Sequence, residues 1–223
     1  MAEDVDVGLR RYMLRVYNFM AAGLGLTGLV AYGAVATGLY QAIAGTPLLW
    51  LVMLAPLAAV LFLSFRIERM SLGTAQATFW GFAALMGLSL AGIFLVFTGA
   101  SVARVFFISA GTFAAMSLYG YTTRRDLSQV GSFLFMGLVG IVLASLVNLF
   151  LASSALQFAI SVIGVLVFTG LTAWDTQRIK QVYVASDSGD VLAKKALMGA
   201  LALYLDFINL FVMLLQLTGQ RRS

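Results

Sequence analysis

Seven long apolar runs divide this chain: approximately Val16–Leu39, Pro47–Phe65, Ala75–Phe97, Val102–Tyr121, Val130–Leu151, Ala155–Trp174 and Ala196–Leu217. A helix needs about 20 apolar residues to cross the ~30 Å hydrocarbon core of a bilayer, and each run is close to that length. The joints are short and carry turn residues or charges: Thr46-Pro47, Arg66-Ile-Glu68-Arg69, Thr98-Gly-Ala-Ser101, Arg124-Arg125-Asp126 and Ala152-Ser-Ser154. None is long enough to form a soluble domain. The pattern predicts an all-α, polytopic integral membrane protein, with residues 1–223 forming a single transmembrane domain of seven helices. The first run begins after acidic residues and has no small-residue cleavage pattern, so it reads as a retained helix rather than a signal peptide.

Composition agrees with the pattern. Of 223 residues, 61% are hydrophobic and 10% charged, where a soluble domain carries about 25% charged residues. Charge then orients the bundle. With the amino terminus in the cytoplasm, that side receives Arg10, Arg11, Arg15, Arg66, Arg69, Arg124, Arg125, Arg178, Lys180, Lys194 and Lys195, and the other receives only Arg104, Arg221 and Arg222. Positive residues favour the cytoplasmic face, so the net charge of +5 is a topology signal and predicts no nucleic-acid partner. There is no cysteine and no histidine. Thiolate chemistry is excluded, and titration near neutral pH needs a perturbed carboxylate or the terminal amine.

Two motifs mislead. Gly23-Leu-Gly25-Leu-Thr-Gly28 has the spacing of a dinucleotide fingerprint, but it lies inside an apolar helix with no preceding strand. Packing of helices through small residues is the better reading, and it extends to Gly137 and Gly140. The longest polar stretch, Ala185-Ser-Asp187-Ser-Gly189-Asp190, reads as a solvated cytoplasmic loop. No internal repeat of the secondary-transporter kind stands out.

The candidate chemistry lies in two acids. Asp206 sits inside the last apolar run, where a charged side chain costs about 2.5 kcal/mol or more and normally faces a protein interior with a partner. Asp175 lies against the apolar core of the preceding helix, in Phe168-Thr-Gly-Leu-Thr-Ala-Trp174-Asp175-Thr-Gln-Arg178. At 1.5 Å per residue, Asp206 lies ~16 Å beyond Lys195, and Asp175 sits ~10 Å deep. An ordinary tilt and the side chains span the remainder. A carboxyl pair that meets shares a proton and titrates as a unit. Keeping the proton removes most of the repulsion, and losing it pushes the helices apart. The plainer alternative satisfies each acid separately, Asp206 through Tyr204 or Asn209 and Asp175 through Arg178. Arg66 or Arg69, at the end of the second helix, could reach inward to lock the pair, or serve only as a positive flank. An aspartyl-protease role also needs two acids, but the Gly-x-Gly-Asp signature is absent around both. We therefore expect no catalytic residues, no enzyme activity and no cofactor.

Leu203-Tyr204-Leu205-Asp206-Phe207-Ile208-Asn209-Leu210-Phe211, with Ser161-Val-Ile-Gly164, Phe168, Trp174-Asp175-Thr-Gln177-Arg178-Ile179 and Arg124-Arg125-Asp126-Leu127-Ser128, closely resembles the Bax inhibitor-1 (transmembrane Bax inhibitor motif) family, in its compact prokaryotic form. The resemblance covers nearly the whole chain. It implies a seven-helix bundle with the last helix central, in a bacterial plasma (inner) membrane. It also implies a pH-sensitive calcium leak gated by the aspartates at positions 175 and 206, with a locking arginine that maps loosely onto Arg66 or Arg69. Some members carry a glutamate within the second helix. Here Pro47–Phe65 has no acid and Glu68 lies at the helix end, so that element of the calcium route is missing. Ca²⁺ takes six to eight oxygens, so contact with Asp175 and Asp206 would be transient and completed by water, carbonyls or Asn209. The alternative function is a membrane-embedded interaction protein that modulates a quality-control protease or a stress or cell-death response. It would act through residues 1–8 or the cytoplasmic loops, with no obligatory ion flux.

Overall fold

The computed structural model describes residues 2–222, with side chains described from residue 7 to 222. Among the described residues the elements are α1 (Ala2–Ala36), α2 (Leu39–Ala44), α3 (Leu48–Arg66) with a 3-10 turn at Ile67–Arg69, α4 (Leu72–Leu90), α5 (Ile93–Val96), α6 (Gly99–Thr122), α7 (Ser128–Leu151), α8 (Ser154–Gln181) and α9 (Gly189–Thr218). Seven helical segments are long and apolar enough to cross a membrane, with α4 and α5 forming one of them.

Most helix ends extend beyond the apolar runs. α1 begins at Ala2 rather than near Val16, α8 continues to Gln181 past Trp174, and α9 begins at Gly189 rather than Ala196. Hydropathy marks the stretch that enters lipid, whereas backbone hydrogen bonding carries the helix on through flanking polar residues. α1 ends near Ala36, short of Leu39, and Gly38 then takes a left-handed conformation (φ 76°) that a glycine adopts without strain. The tightest joint, between the third and fourth runs, is a helix cap. Thr98 is extended, and its hydroxyl accepts the backbone N–H of Ser101 at 3.3 Å, opening α6. The expected solvated loop at 185–190 is partly structured. Asp187 pairs with Lys195 at 2.6 Å, and Gly189 and Asp190 already belong to α9, where an acid in the first turn suits the helix dipole.

The described residues form two compact units: 2–97 with Val182–Tyr204 and Arg222, and Thr98–Gln181 with Leu205–Arg221. In the first unit α1 packs along α4. Gly87 makes the approach possible, because a Cβ there would lie 2.5 Å from the Thr27 carbonyl. Phe79, Phe82 and Tyr204 form an aromatic interior, with the Phe82 and Tyr204 rings 5.0 Å apart and edge to face. The Tyr204 hydroxyl hydrogen-bonds Thr27 at 2.6 Å, and Thr27 donates to the Ala83 carbonyl at 2.8 Å.

The second unit holds α6 and joins α7, α8 and the second half of α9 around Ile141, Ile160, Val167, Phe168, Leu171 and Leu210. Small residues let its backbones meet. A Cβ at Gly120 would strike the Ala173 carbonyl, and one at Gly131 would strike the Trp174 indole. The expected packing role of the glycines is uneven. Gly23 and Gly137 face Phe79 and Val167 at 3.0 Å, while Gly25, Gly28 and Gly140 face open space.

Candidate functional site

The site lies within the second unit, where α8 and α9 bring Asp175 and Asp206 together. Local bonding fixes the α8 turn. The Thr176 hydroxyl hydrogen-bonds Ser117 of α6 at 2.9 Å and donates to the Thr172 carbonyl at 2.7 Å. The Gln177 amide bridges the joint before α7, accepting the N–H of Leu127 at 2.9 Å and donating to the Arg125 carbonyl at 2.8 Å. Lys180 donates to the Tyr121 carbonyl at 2.8 Å and lies 5.2 Å over that ring. Arg178 sits 5.6 Å over the Trp174 ring. Asp175 is therefore carried on a turn held on both sides of it. On α9, Phe207 stacks edge-on against Phe106 and Phe113 at 5.4 and 5.7 Å, which sets the rotation of the helix around Asp206.

The two carboxyl groups lie within hydrogen-bonding reach of each other. A bond between them requires one to keep its proton, because neither ionised group can donate. Asp206 is buried at 5% exposure, and its Oδ2 has no hydrogen-bond partner among the described residues. Asp175 is half-buried, and the charge of Arg178 acts on it. An unsatisfied buried oxygen is costly and calls for an explanation. Here it is an acceptor available to a proton, a water or a cation.

The other candidates lie elsewhere. Tyr204 is turned to Thr27, and the Asn209 amide donates to the Leu205 carbonyl of its own helix at 2.8 Å. Among the described residues neither bonds Asp206, and the polar group it meets is the Asp175 carboxyl. Arg66 and Arg69 are exposed and belong to the first unit. Among the described residues no ion pair joins either to a carboxylate, and the cation whose charge acts on Asp175 is Arg178, of α8 itself. No group of three or more His, Cys, Asp or Glu converges among the described residues, in keeping with the oxygen shortage of a lone aspartate pair. Sequence reasoning missed Gln177, Thr176 and Ser117 as the framework of Asp175. A signal existed for Ser117: with Ser101 and Ser109, both also buried, it is a polar residue recurring within a largely apolar helix.

Comparison with known proteins bears on this arrangement. Residues 9–223 match the family model described as inhibitor of apoptosis-promoting Bax1. The chain is 50% identical over 219 residues to inner membrane protein YbhL of Escherichia coli strain K12, covering 96% of this chain and 94% of that protein. It is 51% identical over 219 residues to a protein of Rickettsia prowazekii, covering 98% and 93%. It is 37% identical over 218 residues to a membrane protein of Streptococcus pyogenes serotype M3, covering 96% and 95%.

Proposed function

This chain belongs to the Bax inhibitor family, and on that premise we propose that it is a pH-sensitive cation leak, with calcium as the permeant ion and Asp175 and Asp206 as its gate. The observation that carries the reading is the approach of the two carboxyls to hydrogen-bonding reach, with the Asp206 Oδ2 buried and unpartnered among the described residues. Holding one proton, the pair ties α8 to α9. Without it, two unit charges at ~4 Å and an effective dielectric of ~20 repel by about 4 kcal/mol. That would shift a two-state helix arrangement by roughly a thousandfold. The released oxygens would offer a weak, water-completed calcium contact, and weak contact suits an ion that must leave as readily as it enters.

The amino terminus is assigned to the cytoplasm on the distribution of Lys and Arg. Likeness to YbhL supports a bacterial inner membrane.

The test is calcium entry into proteoliposomes carrying wild type, Asp206→Asn or Asp175→Asn, across roughly pH 5 to 8. A wild-type flux that changes with pH, beside mutant fluxes that do not, supports both leak and gate. Unchanged pH dependence in both mutants removes the gate. No flux above empty liposomes at any pH removes the leak and favours the interaction-protein reading, in which deleting residues 1–8 would matter more than either aspartate.

A further inference from the structure

A cleft of about 430 Å³ opens on the first unit, lined by Arg11, Arg15, Asn18, Phe19, Ala22 and Trp80, among others. It lies between α1, which supplies all of these but the last, and α4, which supplies Trp80. Its size falls within the range of small-molecule sites. Arg11 and Arg15 are four residues apart and both exposed, with Asn18 the next position along that face. Like charges at this spacing destabilise a helix, and among the described residues no acidic side chain lines the cleft to offset them. An anion bridging the two guanidinium groups would.

The cleft is also polarised along its length. From Arg11 to Ala22 the helix rises ~16 Å, with arginines at one end and Phe19, Ala22 and Trp80 at the other. The Phe19 and Trp80 rings pack 6.1 Å apart and form the apolar wall. All the α1 residues of the cleft lie within a segment suited to cross a membrane, Val7–Ala36. A soluble anion would use only the arginine end. A molecule with an anionic head and an apolar tail uses both, and basic pockets between transmembrane helices are suited to acidic headgroups.

We propose that this cleft binds one anionic phospholipid, its phosphate held between Arg11 and Arg15 with the Asn18 amide beside it, and the top of an acyl chain laid against Phe19 and Trp80. Arginine is the fitting residue, because its planar fork meets phosphate with two parallel hydrogen bonds. The site is independent of the aspartate pair, which belongs to the other compact unit.

Native mass spectrometry of the full chain in detergent, titrated with phosphatidylglycerol or phosphatidylcholine, tests the assignment. Wild type should retain one phosphatidylglycerol with roughly tenfold preference, and the R11Q/R15Q variant should lose that preference. An equally basic control, R124Q/R125Q, should keep it. Trp80→Ala leaves every charge in place and should weaken lipid retention several-fold. Equal retention by R11Q/R15Q, equal loss in the control, or no effect of Trp80→Ala would each overturn the proposal. So would competition by soluble glycerol phosphate as effective as that by the lipid, which would reduce the site to a phosphate contact.

Discussion

α7 and α9 both satisfy the length and apolarity of a membrane span, and α7 is the more apolar of the two. Yet 6% of the most apolar stretch of α7 is buried in the protein, against 61% for α9. Phe133, Met136, Leu149 and Phe150 of α7 stand outward, while Leu203, Tyr204, Asp206 and Leu210 of α9 are enclosed. Apolarity decides that a helix enters the bilayer and says little about its place there, because lipid tails are as apolar as leucine. What separates the two is the polar content of their middles. α9 carries Tyr204, Asp206 and Asn209, which lipid cannot satisfy and protein can.

The largest effect should come from moving an acid between the two settings. Val142 of α7 is 51% exposed. Val142→Asp would place a carboxylate on the outward face of that span, at about 2.5–3.5 kcal/mol, and should sharply lower the yield of folded protein in a membrane-insertion assay. Asp206→Asn, within α9, should be produced near wild-type yield. A well-tolerated Val142→Asp would break the comparison, because it would mean that this face of α7 does not meet lipid.

Backbone contact gives the next largest contrast. At Gly120 a Cβ would meet the Ala173 carbonyl, which is backbone and cannot swing aside. Gly120→Ala should therefore destabilise the protein by about 1–3 kcal/mol, read as a lower Tm in detergent. It should also displace the α8 turn before Asp175. Gly140 of α7 faces open space, and Gly140→Ala should be neutral or raise stability by up to about 1 kcal/mol. Equal effects at the two positions would show that the α6–α8 approach is not a fixed contact.

The same contrast explains what could be read from the residues. Seven spans and the two aspartates were legible, because a carboxylate within an apolar run has few physical outcomes and Asp175 and Asp206 lie at compatible depths. The reach of α1 back to Ala2, and of α9 back to Gly189, was not legible from apolarity. Nor were the partners of Tyr204 and Asn209. Those depend on the rotation of α9 about its axis, which Phe207 fixes against Phe106 and Phe113. Gln177 was hidden for another reason: it bonds backbone groups of residues 125 and 127, and backbone partners leave no trace in residue identity.

Tyr204→Phe measures a smaller term inside α9. It removes the bond to Thr27, while Thr27 keeps the Ala83 carbonyl, so the loss should be about 0.5–1.5 kcal/mol. The pH response of any flux should be unchanged, because Tyr204 is not a partner of the aspartate pair. A changed response would tie Tyr204 to the gate after all.

The smallest effect concerns Asp126, an acid beside α7 that stays outside the span. Its carboxylate accepts the Ser128 hydroxyl at 2.6 Å and the Ser128 backbone N–H at 2.9 Å. These bonds hold its pKa below the usual carboxylate value. A depressed folded-state pKa stabilises the fold above the unfolded-state value of about 3.9, and that contribution is lost as pH falls through the lower, folded value. Ser128→Ala removes the hydroxyl bond and keeps the N–H, so the pKa should rise part of the way back, as an NMR titration of Asp126 between roughly pH 2 and 5 would record. Across roughly pH 5 to 8 Asp126 is ionised in both proteins, so Ser128→Ala should leave the pH response of calcium flux untouched. A response that moved with Ser128→Ala would mean that the acid outside the lipid, and not only the pair inside it, reports pH to the gate.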